Sequence, residues 1–134
     1  MRCPIRLPAV ILLGLLVFSS ACSSKRIYWP PVEAPAVGTV VVGMASWYGP
    51  GYHGKATASG EIFNMHELTA AHAAWAFGTK VKITLLSNGR HVVVRVNDRF
   101  PGHKGRVIDV SKSVAEKIGL IGPGVGKVRL EIVR

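Results

Sequence analysis

The stretch Lys80-Val81-Lys82-Ile83-Thr84-Leu85-Leu86-Ser87-Asn88-Gly89-Arg90-His91-Val92-Val93-Val94-Arg95-Val96 decides the fold class. From Lys80 to Leu85, the residues Val81, Ile83 and Leu85 fall on one face and Lys80, Lys82 and Thr84 on the other, the period of two of a half-buried strand. Ser87-Asn88-Gly89 tolerates the positive φ of a tight turn, so the chain reverses there, and Val92, Val94 and Val96 carry the apolar face back. Working outward, Thr39 to Tyr48 reads as a strand on its β-branched run Val40-Val41-Val42. At the other end, Lys127 to Val133 alternates Val128, Leu130 and Ile132 inward with Lys127, Arg129 and Glu131 outward. One helix of about two turns is predicted between Ser111, a good N-cap, and Gly119, a C-terminal stop, with Val114, Ala115 and Ile118 on its apolar side. Short strands at about ten-residue spacing, each with an apolar face to cover, favour a small closed barrel: a mainly β fold.

The whole chain has 134 residues, room for one small domain, which excludes a two-domain enzyme. Seventeen Lys and Arg against seven Asp and Glu give a formal charge of +10, which favours a polyanionic partner. The opening has the layout of a secretory leader: Arg2 and Arg6, an apolar run from Leu7 to Phe18, then Ser19-Ser20-Ala21 before Cys22. Twelve residues of helix rise only about 18 Å, short of a bilayer core of roughly 30 Å, so the leader is not read as a transmembrane span. A Cys directly after small residues looks like a bacterial lipobox, in which Cys22 is lipidated and becomes the first residue. Ser23 beside it fits outer-membrane sorting, placing the protein in the bacterial envelope, facing the periplasm. With Cys3 lost in the leader and Cys22 acylated, no disulfide is expected. The organisation is then a signal peptide over 1–21, a lipidated Cys and flexible tether over 22–38, rich in Ser and Pro, and a folded domain over 39–134.

Most carboxylates have structural explanations. Glu116 and Glu131 face outward, Glu67 lies in a polar loop, and Asp109 precedes the helix, where a negative charge suits the helix dipole. Glu61 and Asp98 are harder to dismiss. Asp98 ends a buried strand in Val96-Asn97-Asp98-Arg99-Phe100-Pro101, and Glu61 lies in Thr57-Ala58-Ser59-Gly60-Glu61-Ile62-Phe63, whose small residues let a ligand approach the backbone. Either could instead serve an ion pair with Arg95 or Arg99. His72, in Leu68-Thr69-Ala70-Ala71-His72, reads equally as a core histidine bonded to a neighbour. Trp47, Tyr48 and Tyr52 are candidates to stack on sugar faces, although Trp47 and Tyr48 alternate along a strand and one must face the core. The remaining histidines lack zinc spacing, and no serine elbow or reactive Cys is present, which leaves acid–base chemistry by carboxylates.

Six segments in order, Gly43-Met44-Ala45-Ser46-Trp47-Tyr48-Gly49, Thr57 to Phe63, Thr69-Ala70-Ala71-His72, Gly78-Thr79-Lys80-Val81, Val94 to Arg99 and Arg106-Val107-Ile108-Asp109-Val110-Ser111, resemble the rare lipoprotein A (RlpA) family. The resemblance implies a six-stranded double-psi β-barrel with one or two short helices, related to expansins. It also implies lytic transglycosylase activity on peptidoglycan glycan strands, particularly strands stripped of stem peptides, with no cofactor or metal. By that resemblance Asp98 is the catalytic acid and base, Glu61 stabilises the cationic transition state, and His72 holds one carboxylate in place. Asn97 and Arg99 join Trp47, Tyr48 and Tyr52 as substrate-binding residues. The alternative is an expansin-like module that binds glycan without cutting it. Nucleic acid is not an expected partner, because an export signal and the lack of recognition motifs argue against it. A monomer is expected, as is the absence of the SPOR domain that septal members of the family carry.

Overall fold

The computed structural model describes residues 31–103 and 105–134. The leader expected over 1–21, Cys22 and the tether residues up to 30 lie outside the described residues. Strands β1 (Val40–Tyr48), β2 (Thr69–Ala71), β3 (Lys80–Leu85), β4 (His91–Asp98), β5 (Arg106–Ser111) and β6 (Val125–Val133) are joined by helix α1 (Lys112–Ile118), which lies between β5 and β6 in the chain. They close into a barrel in the order β1-β5-β2-β4-β3-β6, the six-stranded architecture expected.

The hairpin forms as its pattern requires. β3 and β4 pair antiparallel from Lys80 opposite Arg95 to Thr84 opposite His91, and the Gly89 N–H donates to the Leu85 carbonyl at 2.8 Å, with Gly89 at φ 73°. β6 then joins this hairpin to the first strand, pairing antiparallel with both β3 and β1. Val81, Ile83, Leu85, Val94, Val96, Val128, Leu130 and Ile132 fill the interior from these strands, and Ile108 and Val110 of β5 complete it. Each such side chain contributes roughly 1.5–3 kcal/mol by leaving water. α1 adds Val114, Ala115 and Ile118 to the same core. Its ends are capped as the residue types predict: the Ser111 hydroxyl accepts from the Val114 N–H, and Gly119, at φ 82°, returns its N–H to the Ala115 carbonyl.

Two features escaped the periodicity. β2 is only Thr69-Ala70-Ala71, all three buried, too short and too poor in β-branched residues to announce a strand. It exists because β4 and β5 flank it on both sides. The barrel also contains two parallel pairs, β1 with β5 and β2 with β4, and both slip register, between Met44 and Ala45 and between Ala70 and Ala71. Such bulges re-aim the side chains beyond them. In β1, Gly43 permits the close approach of β5: a Cβ there would lie 2.4 Å from Val107 Cγ1 and 3.1 Å from the Gly105 carbonyl oxygen. Of the residues read as tether, Glu33 bridges to Trp75, donating its N–H to the Ala74 carbonyl (2.8 Å) and accepting from the Ala76 N–H (2.7 Å). Gly38 donates to Ile132 in β6.

Candidate active site

Strand register builds the site. Ala71 of β2 lies opposite Asp98 of β4 on one side and opposite Asp109 of β5 on the other, and Asp109 in turn lies opposite Ser46 of β1. One row across the barrel wall therefore reads Ser46, Asp109, Ala71, Asp98. Two inter-strand spacings separate the aspartates, about 10 Å between their Cα atoms. Alanine between them leaves room, and a cleft of about 260 Å³ opens there, lined by Tyr48, Tyr52, Ala71, Asp98, Arg99, Phe100, Pro101, Arg106 and Asp109.

Asp98 is held by one oxygen. Its Oδ1 accepts from the backbone N–H of Ala58 (2.9 Å) and of Arg99 (2.8 Å), which locks the carboxyl plane, while Oδ2 has no hydrogen-bond partner among the described residues. Asp109 is held differently. Its Oδ1 accepts from the Ser46 hydroxyl at 2.6 Å and lies 2.9 Å from Arg106 Nε, and Arg106 Nη2 donates to Oδ2 at 3.2 Å. The expectation that Asp109 serves the helix dipole is corrected here. Ser111 is the cap, no acidic residue occupies the first turn of α1, and Asp109 belongs to β5 with its side chain in the cleft.

The aromatic wall is layered. Tyr48 stacks on buried Phe63 at 4.4 Å between centroids, and Tyr52, 58% exposed, meets Tyr48 edge-on at 5.7 Å. Burial first, then the charges of Asp98 and Asp109, raise the Tyr48 pKa, so the phenol stays protonated. Its hydroxyl feels both carboxylates, yet among the described residues it makes no well-directed hydrogen bond, so a buried donor faces the cleft. Trp47 is the member of that pair that packs against the core, and it is not among the lining residues.

Arg99 lines the cleft as expected, whereas Glu61, Asn97 and His72 stand outside it. Glu61 takes both oxygens to Arg95 Nη1 (2.8 and 2.7 Å), and its Oε2 also accepts from Asn97 Nδ2 at 3.0 Å. Those hydrogen bonds, Asn97's first, hold its pKa below the ordinary carboxylate value. Arg95, which also reaches Glu67, is therefore turned toward Glu61 and away from Asp98. Asn97 is buried behind this pair. The Glu61 loop still serves the cleft through its backbone, since Ala58 lies on it and the Ser59 N–H donates to the Asn97 carbonyl at 3.3 Å.

His72 makes no side-chain hydrogen bond to either carboxylate among the described residues. Its Nδ1 accepts from the backbone N–H groups of Ala74 (3.1 Å) and Trp75 (3.0 Å), and its ring stacks on Trp75 at 3.9 Å and 8°. Burial, then the charge of Arg99, push its pKa from 6.5 down to about 4, so the ring is neutral with its proton on Nε2. Its link to Asp98 runs through the backbone, from the His72 N–H to the Asp98 carbonyl at 3.1 Å.

Ser46, Arg106 and Asp109 are the site residues that the sequence reading missed. A signal existed: with Ser111 as N-cap, Asp109 stands two residues ahead of the cap and cannot be in the first helical turn.

Comparison with known proteins agrees with this architecture. Residues 40–130 match the family model described as lytic transglycolase, a double-psi β-barrel domain. The endolytic peptidoglycan transglycosylase RlpA of Campylobacter jejuni is 49% identical over 108 residues, which are 81% of this chain and 38% of that protein. The Pseudomonas aeruginosa protein of the same name is 43% identical over 106 residues, 79% of this chain and 30% of that protein. The chain thus spans about a third of the length of these curated relatives. Among solved structures, the Streptomyces papain inhibitor superposes with a TM-score of 0.62 at 23% identity, covering 76% of this chain and 100% of the other. An expansin of Clavibacter michiganensis superposes at 0.57 and 24%, covering 72% of this chain and 51% of that one, which is a likeness of fold. With its family model matched from β1 into β6 around a closed six-stranded barrel, the chain belongs to the lytic transglycolase double-psi β-barrel family, the RlpA-like one.

Proposed function

We propose that this protein is an endolytic lytic transglycosylase that cuts peptidoglycan glycan strands and leaves 1,6-anhydro-muramic ends. The observation that carries the reading is Asp98: a cleft carboxyl fixed through Oδ1 by two backbone donors, with no well-directed hydrogen bond to Oδ2 among the described residues, beneath an aromatic wall. That arrangement suits one group acting first as acid and then as base. The Oδ2 proton passes to the glycosidic oxygen as its bond to the muramic C1 breaks. The C6 hydroxyl of the same sugar then forms the new bond to C1 and gives its proton to the Asp98 carboxylate. Water is not consumed, and the tethered acceptor supplies the proximity that a second carboxylate gives a hydrolase. Asp109, held by Ser46 and Arg106, provides negative potential beside the developing oxocarbenium charge, a role that its place in the cleft supports better than that of Glu61. Tyr52 offers a face to a sugar ring and Tyr48 a donor to a ring substituent.

The test is mass spectrometry of intact and peptide-stripped peptidoglycan after incubation with wild type or Asp98→Asn. Anhydro-muramic ends from wild type, reduced on the order of 10²-fold or more in the variant, support the reading. Binding of glycan by both proteins with no anhydro ends from either would replace it with an expansin-like binding module.

The lipobox reading further supports attachment of a monomer to the envelope, at the outer membrane, through acylated Cys22. Metabolic labelling with a fatty acid, lost in Cys22→Ala, checks it.

A further inference from the structure

The cleft holds two guanidinium groups, and they differ. Arg106 is matched by Asp109 at 2.9 Å. Arg99 has no carboxylate within ion-pair distance among the described residues. Among the described residues its hydrogen-bond acceptors are backbone carbonyls, both reached through Nη1: His72 at 3.3 Å and Asp98 at 3.5 Å. The guanidinium plane is fixed from one side by Phe77, whose ring centroid lies 4.0 Å from Cζ. Nε and Nη2 have no acceptor among the described residues. A cation set over an aromatic ring and bonded to two carbonyls, lining the cleft with no carboxylate in ion-pair contact among the described residues and only the neighbouring Asp98 charge acting on it through space, is prepared for an anion that arrives with the substrate.

The anion can be named, on the transglycosylase reading above. The sugars of a glycan strand carry neutral N-acetyl groups and hydroxyls. Their one ring-borne acid is the lactyl ether on muramic C3, which is a free carboxylate when no stem peptide is attached and a neutral amide when one is. The carboxylates of the stem peptide itself lie many bonds further from the ring. We propose that Arg99 is a specificity-determining residue that binds the free lactyl carboxylate, so that the cleft distinguishes bare muramic acid from peptide-substituted muramic acid by charge. Planarity matters, because two adjacent guanidinium N–H groups can engage one carboxylate side by side, and Lys cannot do this.

The experiment compares two preparations of peptide-stripped strands that differ in one group: free lactyl carboxylates, and the same strands with those carboxylates converted to methylamides. Wild type is expected to cleave the free-acid strands about tenfold faster in kcat/KM, mostly through KM, the scale of one charge-assisted contact. Arg99→Gln brings the ratio of the two rates near one, and Arg99→Lys restores part of it, a rescue that a merely structural role would not show. Equal rates for wild type on both substrates overturn the proposal without reference to any variant. So does an unchanged ratio in Arg99→Gln. Should that variant lose all activity, the ratio for Arg99→Lys decides: an intermediate value supports the proposal and a wild-type value overturns it. If wild type yields no anhydro ends from either substrate, the transglycosylase reading fails. Affinity electrophoresis of wild type and Arg99→Gln through gels containing each strand preparation then decides the Arg99 contact separately, by whether wild type alone is retarded more by the free acid.

Discussion

The two walls of the barrel are built on opposite plans. The wall of β3, β4 and β6 is long, antiparallel and in unbroken register, with its inward residues sealed in the core. The wall of β1, β5 and β2 contains a three-residue strand, takes part in both parallel pairs, and carries both register slips. Asp109 stands on this second wall, and Asp98, the last residue of β4, meets it across Ala71 of β2. Regular pairing stabilises the barrel, whereas irregular pairing lets polar side chains meet at one place. An aspartate flanking Ala71 on either side requires three strands whose partners are distant in sequence.

The sharpest way to separate the walls is to damage one at a time. Leu130→Ala in β6 should cost about 2–5 kcal/mol, read as a lowered thermal midpoint, with activity per folded molecule unchanged. Asp109→Asn should do the reverse. It leaves Arg106 without its carboxylate and weakens potential in the cleft, so cleavage should fall roughly ten- to hundredfold, about 1.4–2.7 kcal/mol of barrier, with a smaller thermal change. If Asp109→Asn lost stability like Leu130→Ala and kept full activity, the division between walls would collapse. Gly43→Ala probes the parallel pairing itself. The new Cβ must displace Val107 and press on the Gly105 carbonyl, costing about 1–3 kcal/mol in urea unfolding. A neutral result would mean that β5 can retreat from β1 without cost.

A further effect concerns pH. His72 titrates near 4 in the folded protein and near 6.5 when unfolded, so as pH falls the unfolded chain takes up its proton first. The stability contributed by neutral His72 is whole above about pH 6.5 and is lost progressively as pH falls toward about 4. Urea midpoints at pH 7.5 and pH 4.5 should differ for wild type and differ less for His72→Asn, whose amide oxygen still accepts from Ala74 and Trp75. Equal pH dependence in both proteins would remove His72 from the account.

This contrast also explains what was legible in the sequence. The hairpin from Lys80 to Val96 and the helix from Ser111 to Gly119 announce themselves, because alternation, turn residues and caps are local signals. Thr69-Ala70-Ala71 has no such signal, being a strand only because its neighbours are strands. Asp98 stood out as a charge ending an apolar run. Asp109 was misjudged because nearness to a helix in sequence is visible and a position across β2 from Asp98 is not. Likewise Arg95 and Arg99 look equivalent beside Asp98, and strict alternation would put both on one face, yet Arg95 lies within β4 and pairs with Glu61, whereas Arg99 lies one residue past the end of that strand and lines the cleft. Strand spacing pointed to a small closed barrel, and the resemblance of six ordered motifs supplied its six-stranded double-psi form, which no single motif could have done.

Closure of the sheet has a bearing on what company the domain can keep. Each of the six strands has a neighbour on both sides over at least part of its length, so among the described residues no strand is left as a full edge on which an extended peptide or a second copy could extend the sheet. Recognition has to pass through side chains instead. A carbohydrate, which has no amide ladder to offer, loses nothing by that arrangement.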